Sequence, residues 1–306
     1  MSQPLMRIGT RGSPLALAQA HEARRLLATA TGFEEARFEI VVIRTTGDRI
    51  QDRPLSEAGG KGLFTKEIDA AMLEEQIDAA IHSAKDLPTV TPKGLVIAGY
   101  LPREDVRDAF VSAEASAIAD LPQDAMLGTA SLRRQAQVKR LRPDIRVGLL
   151  RGNVETRLRK AETGEVAATV LAYAGLKRLG LAQRATALLD LDAFLPAVGQ
   201  AAIGFTARAG DEATRRMLAA IADAETGEAL QAERAFLGVL DGSCRTPIAG
   251  HAKVAAGRIA FRGMVLRLDG SEIFEVEASG PMADAARLGA EAGRDLLGRL
   301  PPGVLA

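Results

Sequence analysis

The chain has 306 residues, 47% of them apolar, and its 39 Lys and Arg balance 39 Asp and Glu. That length suits two or three domains rather than one core, and the neutral balance with few aromatics speaks against a nucleic-acid binder. No run approaches the roughly 18 apolar residues of a membrane span, Met1–Arg7 lacks a signal-peptide layout, and one cysteine with three histidines disfavours a disulfide or a metal site.

Leu5–Gly9 is predicted as a strand, after which Ser13 caps a helix running to about Ala30 with Pro14 at its first position. Phe38–Arg44 is β-branched and strand-like. Gly59-Gly60-Lys61-Gly62 is expected to open a helix at Leu63, with Phe64, Ile68, Ala71 and Met72 at helical spacing. Ala79–His82 is a further strand closed by the turn Asp86-Leu87-Pro88, and Leu95–Leu101 another that ends at Pro102. The scheme then repeats. Met126–Gly128 leads into a helix over Leu132–Leu141, Arg146–Leu150 into one from about Asn153 to Ala161, and Ala167–Leu171 into Ala174–Leu179. A strand over Ala201–Ala207 follows, and such alternation predicts α/β architecture with ligands at the strand-to-helix loops. Beyond Asp211, helices near Glu212–Ala222 and Gly227–Leu240, strands near Ala249–Ala255, Arg258–Leu266 and Glu272–Glu277, and a helix from about Met282 to Leu300 form an α+β unit.

Between Arg133 and Lys160 lie ten Lys and Arg against two Asp and Glu. Arg133 and Arg134 fall in the first turn of a predicted helix, and Arg11 lies just before another, where the macrodipole disfavours cations by about 0.3–1 kcal/mol each. An array of junction arginines, completed by Arg151 and Arg157, suits an incoming ligand with several carboxylates or phosphates. Lys139, Arg140, Arg142, Arg159 and Lys160 read instead as a solvated face. The Gly59–Gly62 loop fails the Walker pattern because Gly62, not Ser or Thr, follows Lys61. Asp86, just past a strand end, is either a turn former or a single carboxylate kept ionised by a basic cleft, able to stabilise a cationic intermediate. His82 reads as a packed strand residue. Cys244, beside Arg245 in a turn-like segment, is either a buried small hydrophobe or a reactive thiolate.

Seven segments together resemble the porphobilinogen deaminase (hydroxymethylbilane synthase) family: Arg7 to Leu17, Gly59 to Phe64, His82 to Pro88, Gly128 to Arg134, Leu150 to Val154, Ala174 to Gly180 and Leu195 to Gln200. They cover nearly the whole chain in the family's order. The resemblance implies two periplasmic-binding-protein-like α/β domains around a cleft plus a small α+β C-terminal domain. The expected domains are 1–101 plus 197–221, 102–196, and 222–306. It further implies a dipyrromethane cofactor joined to Cys244 through a thioether. Four porphobilinogen units, deaminated in turn, would be added to this primer, and hydroxymethylbilane released by hydrolysis. Asp86 matches the family's catalytic aspartate, which would hold pyrrole N–H groups and stabilise the cationic azafulvene. Ser83, Lys85, Thr129, Ser131, Arg133, Arg134 and Arg178 match cofactor-holding positions. Arg11, Ser13, Arg151 and Arg157 match substrate-binding positions, and Lys61 and Phe64 belong to a mobile loop. Glu57, Gly12 and the Ser243–Arg245 segment depart from the familiar pattern. The implied protein is a cytoplasmic monomer acting on porphobilinogen, with no metal, nucleic-acid or membrane partner. The alternative is a cytoplasmic anion-binding or ligand-sensing protein on the same cleft fold, needing the arginines but neither Cys244 nor Asp86.

Overall fold

A computed structural model describes residues 4–49, 62–242 and 246–305. Strand β1 (Met6–Thr10) leads into α1 (Pro14–Thr31), where Ser13 Oγ accepts from the Ala16 N–H and Pro14 takes the first turn. The helix buries Ala16, Gln19, Ala20, Ala23 and Leu27, one stripe at three- and four-residue spacing. It stops at Gly32, whose φ of 74° is left-handed and whose N–H donates to the Ala28 carbonyl. There follow β2 (Phe38–Val42), the single turn α2 (Thr46–Arg49), α3 (Lys66–Leu73), β3 (Ala79–Ser83) and β4 (Leu95–Tyr100).

The helix expected at Leu63 begins only at Lys66. The N–H groups of Thr65 and Lys66 both turn back to the Gly62 carbonyl, and the Leu63 carbonyl accepts from Gly47, so this stretch is a docked turn rather than a first helical turn.

The second run comprises β5 (Asp108–Ser112), β6 (Met126–Gly128), α4 (Leu132–Leu141), β7 (Arg146–Gly148), α5 (Val154–Glu162), β8 (Ala168–Ala172), α6 (Tyr173–Arg178) and the short β9 (Ala187–Leu188). The chain then gives β10 (Ile203–Arg208) and α7 (Glu212–Ala219). Two five-stranded sheets result, ordered β2-β1-β3-β10-β4 and β7-β6-β8-β5-β9. In each, three parallel strands precede one antiparallel strand, β10 in the first sheet and β5 in the second. Both sheets therefore share one strand arrangement; β10 joins the first from about a hundred residues beyond its other strands, whereas β5 directly precedes β6 in the chain. Apolar clusters cover both faces of each sheet, as parallel strands require.

A third, antiparallel sheet joins β11 (Ile248–Ala255), β12 (Arg258–Leu266) and β13 (Ile273–Pro281), with α8 (Ala224–Val239) and α9 (Ala285–Arg299) packed on it. Phe236 of α8 meets Phe261 of β12 with the rings tilted and their centroids 5.0 Å apart. The buried Glu233 carboxylate accepts from the backbone N–H groups of Gly199 and Ala252 at 2.7 and 2.8 Å. The α/β architecture read from the sequence is thus present, with two sheet-and-helix halves and a small C-terminal sheet. By compactness the described residues form two units: 4–49, 62–104 and 201–227 in the first, and 105–200, 228–242 and 246–305 in the second.

Candidate active-site clusters

In the first unit, the parallel strands β1, β2 and β3 end on the same sheet edge, where such folds place ligands. The segments that follow them carry Arg11, Asp48 (in α2) and Asp86, all half-buried. Arg11 donates to Asp48 Oδ1 through Nε at 3.1 Å and through Nη2, and its Nε also reaches Oδ2 at 3.3 Å. Its Nη1 lies 3.5 Å from Asp86 Oδ2. Thr45 Oγ1 donates to the other Asp48 oxygen at 2.7 Å. The Phe64 ring lies over the guanidinium, 4.0 Å from carbon to centroid. Burial alone would raise the Asp48 carboxyl, yet the hydrogen bonds from Arg11 and Thr45 hold it below the usual carboxylate range. A second carboxylate, Asp48, thus shares the Arg11 guanidinium with Asp86.

Around this cluster, the Gln19 amide and Ser83 Oγ lie 3.0 Å apart, with Gln19 buried beneath the strand end. Ser13 is engaged as the cap of α1, and Lys85 is half-buried beside Asp86. His82 is buried, its Nε2 3.1 Å from Thr206 Oγ1, as a packed strand residue should be. Burial first, and the Arg11 charge second, push it down to about 4.

The second unit repeats the arrangement with the opposite charge. Thr129 follows β6 and its Oγ1 accepts from the Ser131 N–H at 3.2 Å. Ser131 Oγ in turn caps α4 by accepting from the Arg134 N–H. The first-turn arginines bend back onto Asp108, which is fully buried at the start of β5. Arg133 Nη2 donates to Oδ2 at 2.8 Å, Arg134 Nη2 to Oδ1 at 2.7 Å, and Gln200 Nε2 to Oδ1 at 3.0 Å. Arg133 Nη1 also reaches the Leu195 carbonyl at 2.7 Å. Burial would raise Asp108, but the two guanidiniums win and hold it down at about 2. Desolvation lowers Arg133. The cations that offend the α4 dipole thus have a carboxylate of their own chain, although two arginines on one aspartate leave a net positive charge. Arg133 Nε is buried with no acceptor among the described residues.

Arg151 precedes Gly152, whose φ of 113° turns the chain into α5, and Arg157, within that helix, donates from Nε to the Gly152 carbonyl at 2.9 Å. Arg178 is half-buried in the last turn of α6, not at a helix start. Lys61, Glu57 and Ser243–Arg245, including Cys244, lie outside the described residues. Among the described residues no group of three His, Cys, Asp or Glu could hold a metal ion, and no helix is long and apolar enough to cross a membrane.

Four polar residues in these clusters escape a reading of the sequence: Asp48, Gln19, Asp108 and Gln200. Asp48 had a usable signal, since Thr45-Thr46-Gly47-Asp48 follows a strand end as Asp86 does. Asp108 had none, because its partners lie 25 or more residues away.

Residues 6–216 match the family model described as "Porphobilinogen deaminase, dipyromethane cofactor binding domain", and residues 228–298 match "Porphobilinogen deaminase, C-terminal domain". The chain belongs to the porphobilinogen deaminase family. It is 57% identical over 292 residues to the porphobilinogen deaminase of Nitrobacter winogradskyi, covering 95% of this chain and 92% of that one. With the porphobilinogen deaminase of Paracoccus denitrificans identity is 55% over 296 residues, covering 97% and 95%. Among solved structures, a periplasmic substrate-binding protein of an ABC transporter from Coxiella burnetii aligns at 13% identity with a TM-score of 0.45, covering 71% of this chain and 92% of that one. The model for the cofactor-binding domain of this family spans both the Arg11–Asp48–Asp86 cluster and the arginines from Arg133 to Arg178, and the C-terminal model spans Cys244.

Proposed function

We propose that this chain is a transferase that polymerises four porphobilinogen units, with loss of ammonia, and releases hydroxymethylbilane. The reading is carried by the half-buried Asp86 carboxylate at the end of β3, in a chain whose residues 6–216 match the dipyrromethane-binding model. Dipyrromethane, held through a thioether by the chain's one cysteine, Cys244, would supply the nucleophilic pyrrole end from which the chain grows. The residues fit such a group: a buried arginine cluster with excess positive charge suits its carboxylates, and an acidic cluster suits its pyrrole N–H groups.

Asp86 accepts pyrrole N–H bonds and stabilises the positive charge that develops on the substrate as ammonia leaves. Arg133, Arg134 and Arg178, with Lys85, Ser83, Thr129 and Ser131, hold the cofactor's acetate and propionate groups. Arg11, Ser13, Arg151 and Arg157 receive the carboxylates of incoming substrate. The Asp108 pairing supports this assignment for Arg133 and Arg134, since it fixes both guanidiniums before any ligand arrives. Residues 222–306 act as a third domain, which the separate C-terminal family match supports. A cytoplasmic, monomeric enzyme is the reading we adopt, because Cys244 must remain a thiol until the thioether forms and a reducing compartment preserves it.

Intact-mass measurement tests the proposal. The purified protein should carry a covalent adduct that is missing from Cys244→Ala, and brief exposure to porphobilinogen should add a ladder of further masses. A bare polypeptide mass, with ligand binding intact, would favour an anion-binding protein instead.

A further inference from the structure

Resting on that function, we propose that Asp48, backed by Thr45, is a positioning residue of the reaction that keeps the Arg11 guanidinium from capturing Asp86. Two carboxylates compete for this one cation, and the geometry shows which prevails. Asp48 takes both the Nε and the Nη2 donors of Arg11, chiefly on Oδ1, whereas Asp86 receives one long contact of 3.5 Å. That distance is the outer limit of a hydrogen bond, so Asp86 is only weakly engaged. Thr45 Oγ1 pins the Asp48 carboxylate by donating at 2.7 Å, and the Phe64 face at 4.0 Å restrains the guanidinium plane.

The consequence is chemical. A forked Arg–carboxylate pair occupies both oxygens and neutralises the charge, and an Asp86 so paired could neither accept pyrrole N–H bonds nor meet developing positive charge. Asp48 absorbs these two donors and leaves Asp86 with one long contact. It does so without removing Arg11 from the site, whose Nη1 still lies 3.5 Å from Asp86 Oδ2. Asp48 thereby separates two tasks, substrate binding by Arg11 and charge stabilisation by Asp86, that lie within one contact of each other.

Loss of the Asp48 charge should therefore damage turnover and spare binding. In the cofactor-loaded enzyme, Asp48→Asn is expected to lower kcat about tenfold or more while KM for porphobilinogen stays within twofold. Thr45→Val should lower kcat less, again at constant KM, and Asp48→Glu, which keeps the charge, should recover most of the turnover. Intact mass is measured on every variant first. A kcat within twofold of the parent in loaded Asp48→Asn, or a KM that rises while kcat holds, overturns the proposal. Should Asp48→Asn fail to fold or load, an unchanged kcat in Thr45→Val overturns it equally. An adduct missing from the unsubstituted protein would instead sink the enzyme reading itself.

Discussion

Phe64 shows how much of the acidic cluster rests on one glycine. A methyl group on Gly47 would stand 2.4 and 2.5 Å from two ring carbons of Phe64 and 2.9 Å from the Leu63 carbonyl oxygen. The ring therefore reaches Arg11 because Gly47 has no side chain. Gly47→Ala should push Phe64 off the guanidinium and forfeit a cation–π contact worth about 1 kcal/mol, or roughly fivefold in kcat/KM. Steady-state kinetics check this, and unchanged kcat/KM would mean the stacking is dispensable. The same residues explain what a linear reading can find. Arg11 and Asp86 are legible because each follows a strand end in a loop too short to hide it. Thr45-Thr46-Gly47-Asp48 looks like an ordinary polar turn, and its purpose appears only when Arg11, 37 residues earlier, is folded against it.

Elements were legible in proportion to their local signals. Ser131 as cap and Pro143 as stop define α4, and the structure returns the predicted Leu132–Leu141. By contrast β5 went unseen: Asp108 opens it with a charge that no strand pattern would bury, and its balancing arginines lie on α4. The start of α3 was placed too early because helical spacing continues through Leu63 and Phe64, whereas Gly62 and Gly47 bind that stretch as a turn. Packing of α9 on α8 carries a prediction at this scale. A Cβ on Gly289 would lie 2.0 Å from the Ala232 carbonyl oxygen, a backbone atom that cannot swing aside, whereas one on Gly298 meets nothing within 4 Å. Gly289→Ala should cost about 1–3 kcal/mol by forcing the helices apart. Gly298→Ala, in the same helix, should gain up to about 1 kcal/mol from helix propensity. Urea midpoints of the two variants should move in opposite directions, and a shared direction would refute the close helix contact.

The two sheets share an order that no local pattern announces, because β10 enters between β3 and β4 from a hundred residues further along the chain. Each unit also buries a group whose titration is far from ordinary, such as His82 in the first and Asp108 in the second. For His82, burial and then the Arg11 charge lower the ring from 6.5 to about 4. Between those values the unfolded chain binds a proton that the folded chain refuses, so stability rises with pH across that window and falls on acidification. The interval corresponds to about 3 kcal/mol. For Asp108, burial works against ionisation but Arg133 and Arg134 prevail, lowering it from 3.8 to about 2. Its contribution is complete above 3.8 and is lost as pH falls through 2. Acid should therefore loosen the two units in sequence. Amide exchange at pH 5 should rise first around β3 and β10, while β5 and α4 keep their protection until the pH drops below 3.8. His82→Gln, whose amide can still meet Thr206 and does not titrate, should flatten the stability slope between pH 7 and 4.5. An unaltered slope in that variant would show that His82 protonates normally inside the fold, and that the early loss of stability has another source.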